Sequence, residues 1–228
     1  MVERTSKRLI LTLAVLGGTG KEGGGLAYRW AKAGYHVVIG SRTLEKAERA
    51  AAEINERLEQ PAVQGMENAQ AADKCDIAAL SVPYAAHRST LEGLRAPLRG
   101  KILIDVTVPI DPQDPTRVRV PPDGSAAQEA QAILGEQVRV VAAFQNVSHR
   151  HLREDGPVPC DVLVCGDDEE AKSQVLRLVA AAGLVGWDAG ALCNAVAVEG
   201  LSPILLGINR RHKIKSAGIR ISGEQQPG

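Results

Sequence analysis

Three glycines in the spacing Gly18-x-Gly20-x-x-Gly23 follow the apolar run Leu13–Leu16 and precede residues that can enter a helix. Bare backbone permits a tight turn and lets a pyrophosphate approach closely, where the amide donors and dipole of a helix N-terminus attract its charge. A glycine-rich turn without a ligand has the same composition, so the strand before it and the helix after it carry the reading. Thr19, Lys21 and Glu22 fill the turn between the glycines. About 20 residues further on, a site for NAD places an acid that accepts from the ribose 2′-hydroxyl, and a site for NADP places groups that hold a phosphate. Here Ser41 and Arg42 end the second apolar run, and Lys46 follows one helical turn later. A guanidinium binds phosphate bidentately and a hydroxyl donates to it, so the spacing points to NADP(H). The plainer alternative is a helix N-cap at Ser41 or Thr43 beside solvated charges.

Other chemistry is hard to assemble. No Ser-His-Asp, Cys-His or paired-carboxylate arrangement stands out. His149-x-His151 lacks a third ligand at useful spacing, so no metal is expected. Asp167-Asp168-Glu169-Glu170 reads as helix capping and dipole compensation, not as a calcium cluster. Cys75, Cys160, Cys165 and Cys193 form no CxxC pair, which suits reduced thiols in a cytoplasmic protein.

The elements that must position these residues alternate between strand-like and helical runs, the pattern of a parallel sheet covered by helices. Strands are expected at Leu9–Leu16, Tyr35–Gly40, Ile77–Val82, Ile102–Val106, Val138–Ala142 and Val162–Cys165, with a short one near Trp187. Helices are expected over Gly23–Ala33, Leu44–Leu58, Ala85–Leu94, Ser125–Leu134, Asp167–Ala182 and Ala191–Ile208. Five prolines make Pro109–Asp123 a loop. The fold class is α/β: a Rossmann-type doubly wound parallel sheet in residues 1–147, with a smaller C-terminal α/β domain in residues 148–228. The 27 basic and 27 acidic residues balance, so no global charge favours nucleic acid or a membrane surface. The basic, apolar opening MVERTSKRLILTLAVL fits a buried strand better than a secretory leader, because it runs into glycines without a small-residue cleavage site. No stretch reads as the roughly 20 apolar residues that cross a bilayer. The last helix carries Leu201, Ile204, Leu205 and Ile208 as one stripe, suited to core packing or to a homodimer contact.

The segments AVLGGTGKEGGGLA, IGSRTLEKAE, VCGDDEEAK and AGALCNAVAVEGLSPILLGINRRHKIKSAGIRISG together resemble the NADPH-dependent coenzyme F420 reductases. The resemblance runs from about Leu13 to Gly223, and its C-terminal motifs are the more specific part. It implies hydride transfer between C4 of the nicotinamide of NADP(H) and C5 of the 5-deazaflavin F420, whose tail is polyanionic. Such a transfer asks the protein to hold the reacting carbons roughly 3–3.5 Å apart and to exclude water, which accounts for the missing acid–base set. By resemblance, Thr19, Gly20, Lys21 and Glu22 meet the phosphates; Ser41, Arg42 and Lys46 meet the 2′-phosphate; Val82-Pro83 and Val108 line the nicotinamide ribose. The loop from Ala142 to His149 is implied as the wall where the two rings meet, with Ala143 on the cofactor side and Gln145, Asn146 and Val147 at the reaction centre. Archaeal members carry a histidine where this chain has Gln145, and a proline where it has Ser148. Asn194 and Ala217 are expected at the deazaflavin. Arg210, Arg211, Lys213, Lys215 and Arg220 concentrate at and beyond the end of the last helix, where they read equally as a basic lip for the deazaflavin tail or as ordinary solvated cations at a helix end. A reductase of a small carbonyl or imine, or a non-catalytic NADP sensor, remains open on the same scaffold.

Overall fold

The computed structural model describes residues 11–223. Strands β1 (Thr12–Leu16), β2 (His36–Ser41), β3 (Val63–Glu67), β4 (Ile77–Leu80), β5 (Ile102–Asp105), β6 (Arg139–Ala142), β7 (Asp161–Gly166) and β8 (Val185–Asp188) form one sheet. Their order is β3-β2-β1-β4-β5-β6-β7-β8. The first six run parallel, β7 pairs antiparallel with β6, and β8 runs parallel with β7. Helices α1 (Lys21–Lys32), α2 (Leu44–Leu58), α3 (Asn68–Lys74), α4 (Tyr84–Leu94), α5 (Ala126–Leu134), α6 (His149–Arg153), α7 (Glu169–Ala181) and α8 (Ala195–His212) cover it, with a 3-10 turn at Leu192–Asn194 before α8. Leu9 and Ile10, expected to open the first strand, lie outside the described residues.

Central strands such as Ile77–Leu80 and Ile102–Asp105 are buried at every position, as a parallel sheet covered on both faces requires. Trp30 and Phe144 meet edge to face on one side, while Leu80, Leu91, Leu98 and Leu103 fill the other. The chain winds outward in opposite directions from β1 and β4, so the connections at their carboxyl ends part and leave a crevice. The sheet is continuous across residue 147, where Val141 and Ala142 of β6 pair with Gly166 and Cys165 of β7.

Three elements were not anticipated: β3, α3 and α6. Helix α6 is held against α1 by Arg29, whose guanidinium donates to five carbonyl oxygens: Leu152, His151, Glu154, Gly156 and Ala182. Burial lowers its pKa, which nearby Asp155 partly offsets.

Helix α8 departs from the expected stripe. Val198, Glu199, Pro203, Leu205 and Gly207 face inward, whereas Ile204 is about half exposed. The reason is polar: Glu199 turns in to accept from the Ala126 and Ala127 amides, capping α5, and fixes the rotation of the helix. Among the described residues, Leu192–His212 is also the one helical run long and apolar enough, by length and composition, to cross a membrane, contrary to the reading that no such stretch exists. Here its inner face is bound into the fold through Glu199 and through Ser202, whose hydroxyl donates to the Gln145 carbonyl.

Candidate active site

The turn from β1 into α1 is built by close approach. Gly17 takes the left-handed conformation (φ 73°), and a Cβ there would lie 2.9 Å from the Ser81 carbonyl oxygen. The left-handed residue therefore precedes the spaced triplet. Gly23 lets α1 approach the turn, since a Cβ there would lie 2.8 Å from the Gly18 Cα. Asn68, the first residue of α3, accepts from the Gly17 amide at 3.1 Å and pins the turn from the side. Gly20 is the N-cap of α1 and no side chain caps it, so the first amides of the helix are open to a ligand.

Beside this turn lies a cleft of about 1090 Å³. Gly20, Lys21 and Glu22 line one end; Val82, Pro83 and Val108 line the strand ends; Gln145, Asn146 and Val147 form a wall; Leu205, Leu206, Asn209 and Ala217 close the far side. Most of the residues predicted for the site thus share one cavity. Gly18 and Gly23 lie behind the turn, and Ala143 is fully buried behind the wall. Thr19 and Lys46 line a smaller hollow of about 270 Å³ with Arg49 and Glu53. Ser41 is buried at the end of β2, and Arg42 is exposed beside it, with no ion-pair partner among the described residues. Asn194 is not among the residues lining the cleft; it is exposed and donates to the Ala189 carbonyl at 2.7 Å. Of the five cations in the basic cluster Arg210, Arg211, Lys213, Lys215 and Arg220, only Lys215 lines the cleft. Arg210 instead turns to Asp114 (3.5 Å) and Thr116 (3.0 Å) on the proline-rich loop. Arg119 from that loop and Arg150 from α6 line the cleft in addition.

Burial pushes the Glu22 carboxyl up to about 8, although the residue as a whole is half-buried. Burial together with Lys21, Arg150 and Arg153 holds His149, which also lines the cleft, below the ordinary histidine value. Behind the wall sits a buried polar cluster. His87 Nε2 lies 2.7 Å from Asp105, its Nδ1 lies 3.9 Å from Glu129, and Tyr84 donates to Glu129 at 2.8 Å. Burial alone would lower His87, but the Asp105 hydrogen bond and the charges of Asp105 and Glu129 outweigh it and raise the imidazole. The cluster fixes Asp105, whose other carboxylate oxygen accepts from the Thr107 amide at 2.9 Å and whose carbonyl accepts from Gln145 Nε2 at 2.7 Å. The cluster thus sets the position of the wall.

A family model described as "NADP oxidoreductase coenzyme F420-dependent" matches residues 12–109. The F420-dependent NADP reductase of Methanocaldococcus jannaschii is 44% identical over 93% of this chain and 98% of its own length. The chain belongs to the F420-dependent NADP reductase family. The reductase of the same name from Methanothermobacter marburgensis is 42% identical, over 93% of this chain and 98% of its own. Among solved structures, a putative F420-dependent NADP reductase from Arthrobacter sp. FB24 superposes with a TM-score of 0.80 at 25% identity, covering 93% of this chain and all of the other.

Within this F420-dependent reductase fold, Asn68, Tyr84, Thr107, Arg119 and Ser202 escaped the sequence reading. Thr107 had a usable signal, being a polar residue just past a strand end at the carboxyl edge of the sheet. The others are placed by tertiary packing and had none. The amides that open α1, uncapped by any side chain, suit the pyrophosphate of a dinucleotide, so the residues present fit NADP(H).

Proposed function

We propose that the chain transfers a hydride between NADP(H) and the deazaflavin F420, with the cleft holding both rings. The carrying observation is the size and continuity of the cleft, which runs from Gly20–Glu22 at the phosphate turn to Leu205, Ile214 and Ala217 on the C-terminal side. A volume of about 1090 Å³ stands at the top of the roughly 300–1,000 Å³ range of ordinary small-molecule pockets, which suits two ring systems. When bound, NADPH supplies the hydride and the deazaflavin accepts it at C5, a proton being taken up overall. The open α1 amides and Lys21 hold the pyrophosphate, Ser41, Arg42 and Lys46 hold the 2′-phosphate, and Val82, Pro83 and Val108 shape the ribose path. Ala143 supports the wall from behind, while Gln145, Asn146 and Val147 set how far the rings approach. Leu205, Leu206 and Ile214 exclude water from the far side. Arg119, Arg150 and Lys215 stand at the cleft without ion-pair partners among the described residues, as an anionic tail would need.

The same reading includes a homodimer in the cytoplasm, supported by exposed Val118, Val120 and Ile204 and by four unpaired cysteines. Loss of the F420 absorbance on anaerobic mixing with NADPH and protein tests the activity, and its return with NADP⁺ and reduced F420 tests reversal. NADPH oxidation by a ketone or imine, with none by F420, would refute the proposal.

A further inference from the structure

Beyond the phosphate turn, two stretches of chain wall the cleft: Val106–Val108, which leaves β5, and Gln145–Ser148, which follows β6. One residue ties them together. The main-chain carbonyl of Asp105, the last residue of β5, accepts from the Ala143 amide at 3.3 Å and from Gln145 Nε2 at 2.7 Å. One of its carboxylate oxygens accepts from the Thr107 amide at 2.9 Å. The two bonds to the carbonyl flank Phe144, whose φ of 73° lies in the left-handed region that a bulky residue rarely enters. Such a backbone is strained and persists only where its surroundings over-determine it. Here the buried ring of Phe144 packs edge to face on Trp30, and Asp105 holds the chain on either side.

The other carboxylate oxygen of Asp105 meets His87 Nε2 at 2.7 Å, and neither side chain has any exposure. His87 comes from α4 and is not among the residues lining the cleft. Around it stand Glu129 of α5, 3.9 Å from Nδ1 and paired with Arg88 at 2.9 Å, Tyr84 stacked on the imidazole, and Glu199 of α8. A carboxylate can only accept, so the imidazole donates from Nε2. A buried carboxylate deprived of that donor would turn towards another and release the Thr107 amide.

We propose that His87 is a positioning residue for hydride transfer: its Nε2–H locks the Asp105 carboxylate, and Asp105 fixes the two wall stretches against each other and thereby the approach of the two rings. The inference rests on the reading of the chain as an NADP and F420 reductase. Because His87 meets neither ligand, its loss is to be read in the rate of transfer and not in affinity.

Glutamine places an amide nitrogen where imidazole Nε2 lies, and asparagine places one where Nδ1 lies, so His87→Gln keeps the donor to Asp105 and His87→Asn loses it at similar polarity. Single-turnover bleaching of F420 by NADPH is measured for both beside wild type, with NADPH deuterated at C4 to show that hydride transfer limits the rate. A rate constant, unlike an amplitude, does not depend on the folded fraction, so lost stability alone leaves it unchanged. His87→Asn is expected to transfer roughly 10- to 100-fold more slowly, since about 1 Å of misplacement can cost that much. Its dissociation constants for NADP⁺ and F420 should stay within about threefold of wild type, as should the transfer rate of His87→Gln. Wild-type transfer in His87→Asn, affinity falling as far as rate, or His87→Gln as slow as His87→Asn would each overturn the proposal. Binding of 2′-phospho-ADP-ribose, which has no nicotinamide, shows that a variant is folded. If His87→Asn fails that control, Asp105→Asn decides. Its side-chain oxygen can accept from Thr107 only while His87 Nε2 accepts from its amide, so transfer should fall as acid charges the imidazole; a pH profile parallel to that of wild type would overturn the proposal. A wild-type protein that leaves F420 unbleached would end the functional reading, and the clamp is then read from hydrogen exchange of the Thr107 amide. His87→Asn should speed that exchange about tenfold and His87→Gln should not, and equal exchange in all three proteins would overturn the proposal.

Discussion

Replacing Arg42 with alanine tests the NADP assignment at its most exposed point. Arg42 sits at the end of β2, is exposed, and has no ion-pair partner among the described residues, so its removal orphans no carboxylate. The whole effect should then come from the lost contact with a 2′-phosphate. A hydrogen bond to a charged group contributes about 1.5–3 kcal/mol, so the dissociation constant for NADPH should rise roughly 10- to 150-fold. Solvent around Arg42 screens the charge and favours the lower half of that range. Lys46, also exposed, lies one turn into α2 and offers a point charge instead of a fork, so Lys46→Ala should cost about 0.2–1 kcal/mol, a factor of about 1.4–5. NADH, which has only a hydroxyl there, should hardly respond to either change. Calorimetric titration of both nucleotides, repeated at low and high salt, reads these numbers. Equal weakening of NADPH and NADH would mean that Arg42 supports the turn and does not read the phosphate, and the reasoning from spacing and charge would fail.

Replacing Arg119, Arg150 and Lys215 with glutamine should weaken F420 more than its tail-less deazaflavin core, with the difference shrinking as salt is added; equal effects would show that these cations are only solvated. Glu199 has a carboxyl pushed up to about 8 by burial, against two lowering amide bonds. Its folded value lies above the unfolded one, so between about pH 4.5 and 8 the folded state binds the extra proton and stability falls as pH rises, by at most about 1.4 kcal/mol per unit. Urea unfolding at several pH values should show a shallower slope for Glu199→Gln, and an unchanged slope would place the titration elsewhere. Arg29→Met leaves five carbonyl oxygens without their donor, and should cost about 3 kcal/mol or more, lowering the melting temperature by about 6–12 °C in calorimetry. A shift under about 2 °C would show that water replaces the guanidinium without loss.

What could be read from the sequence was what local pattern controls. Apolar runs such as Ile77–Leu80 and the amphipathic Leu44–Leu58 announce a buried strand and a surface helix whatever lies around them. Strand β3 stayed hidden because VQGME has neither alternation nor an apolar run; it is an edge strand whose Gly65 is needed to clear the backbone of α2 at Glu48. In GGTGKEGG the abundance of glycine signals a turn but does not say which residue turns left-handed, and the contact with Ser81 decides for Gly17. Which cations of the basic cluster reach the cleft could not be read from the sequence, because α8 continues to His212 and carries Arg210 to Asp114, a pairing between residues nearly a hundred positions apart. The role of Thr107 depends on a bond to Asp105, which depends in turn on a buried histidine from another helix.

The grip of Arg29 has a consequence for synthesis. Its carbonyl acceptors lie between His151 and Ala182, so at roughly 5–20 residues per second the last of them leaves the ribosome some 8–30 s after the arginine does. Until His151 emerges the guanidinium has none of these five acceptors, and the four between His151 and Gly156 become available before Ala182 does. The turn at the other end of the same helix rests on Asn68 and Ser81, so its supports are made long before the acceptors of Arg29, and the two ends of α1 gain their partners at different stages of synthesis.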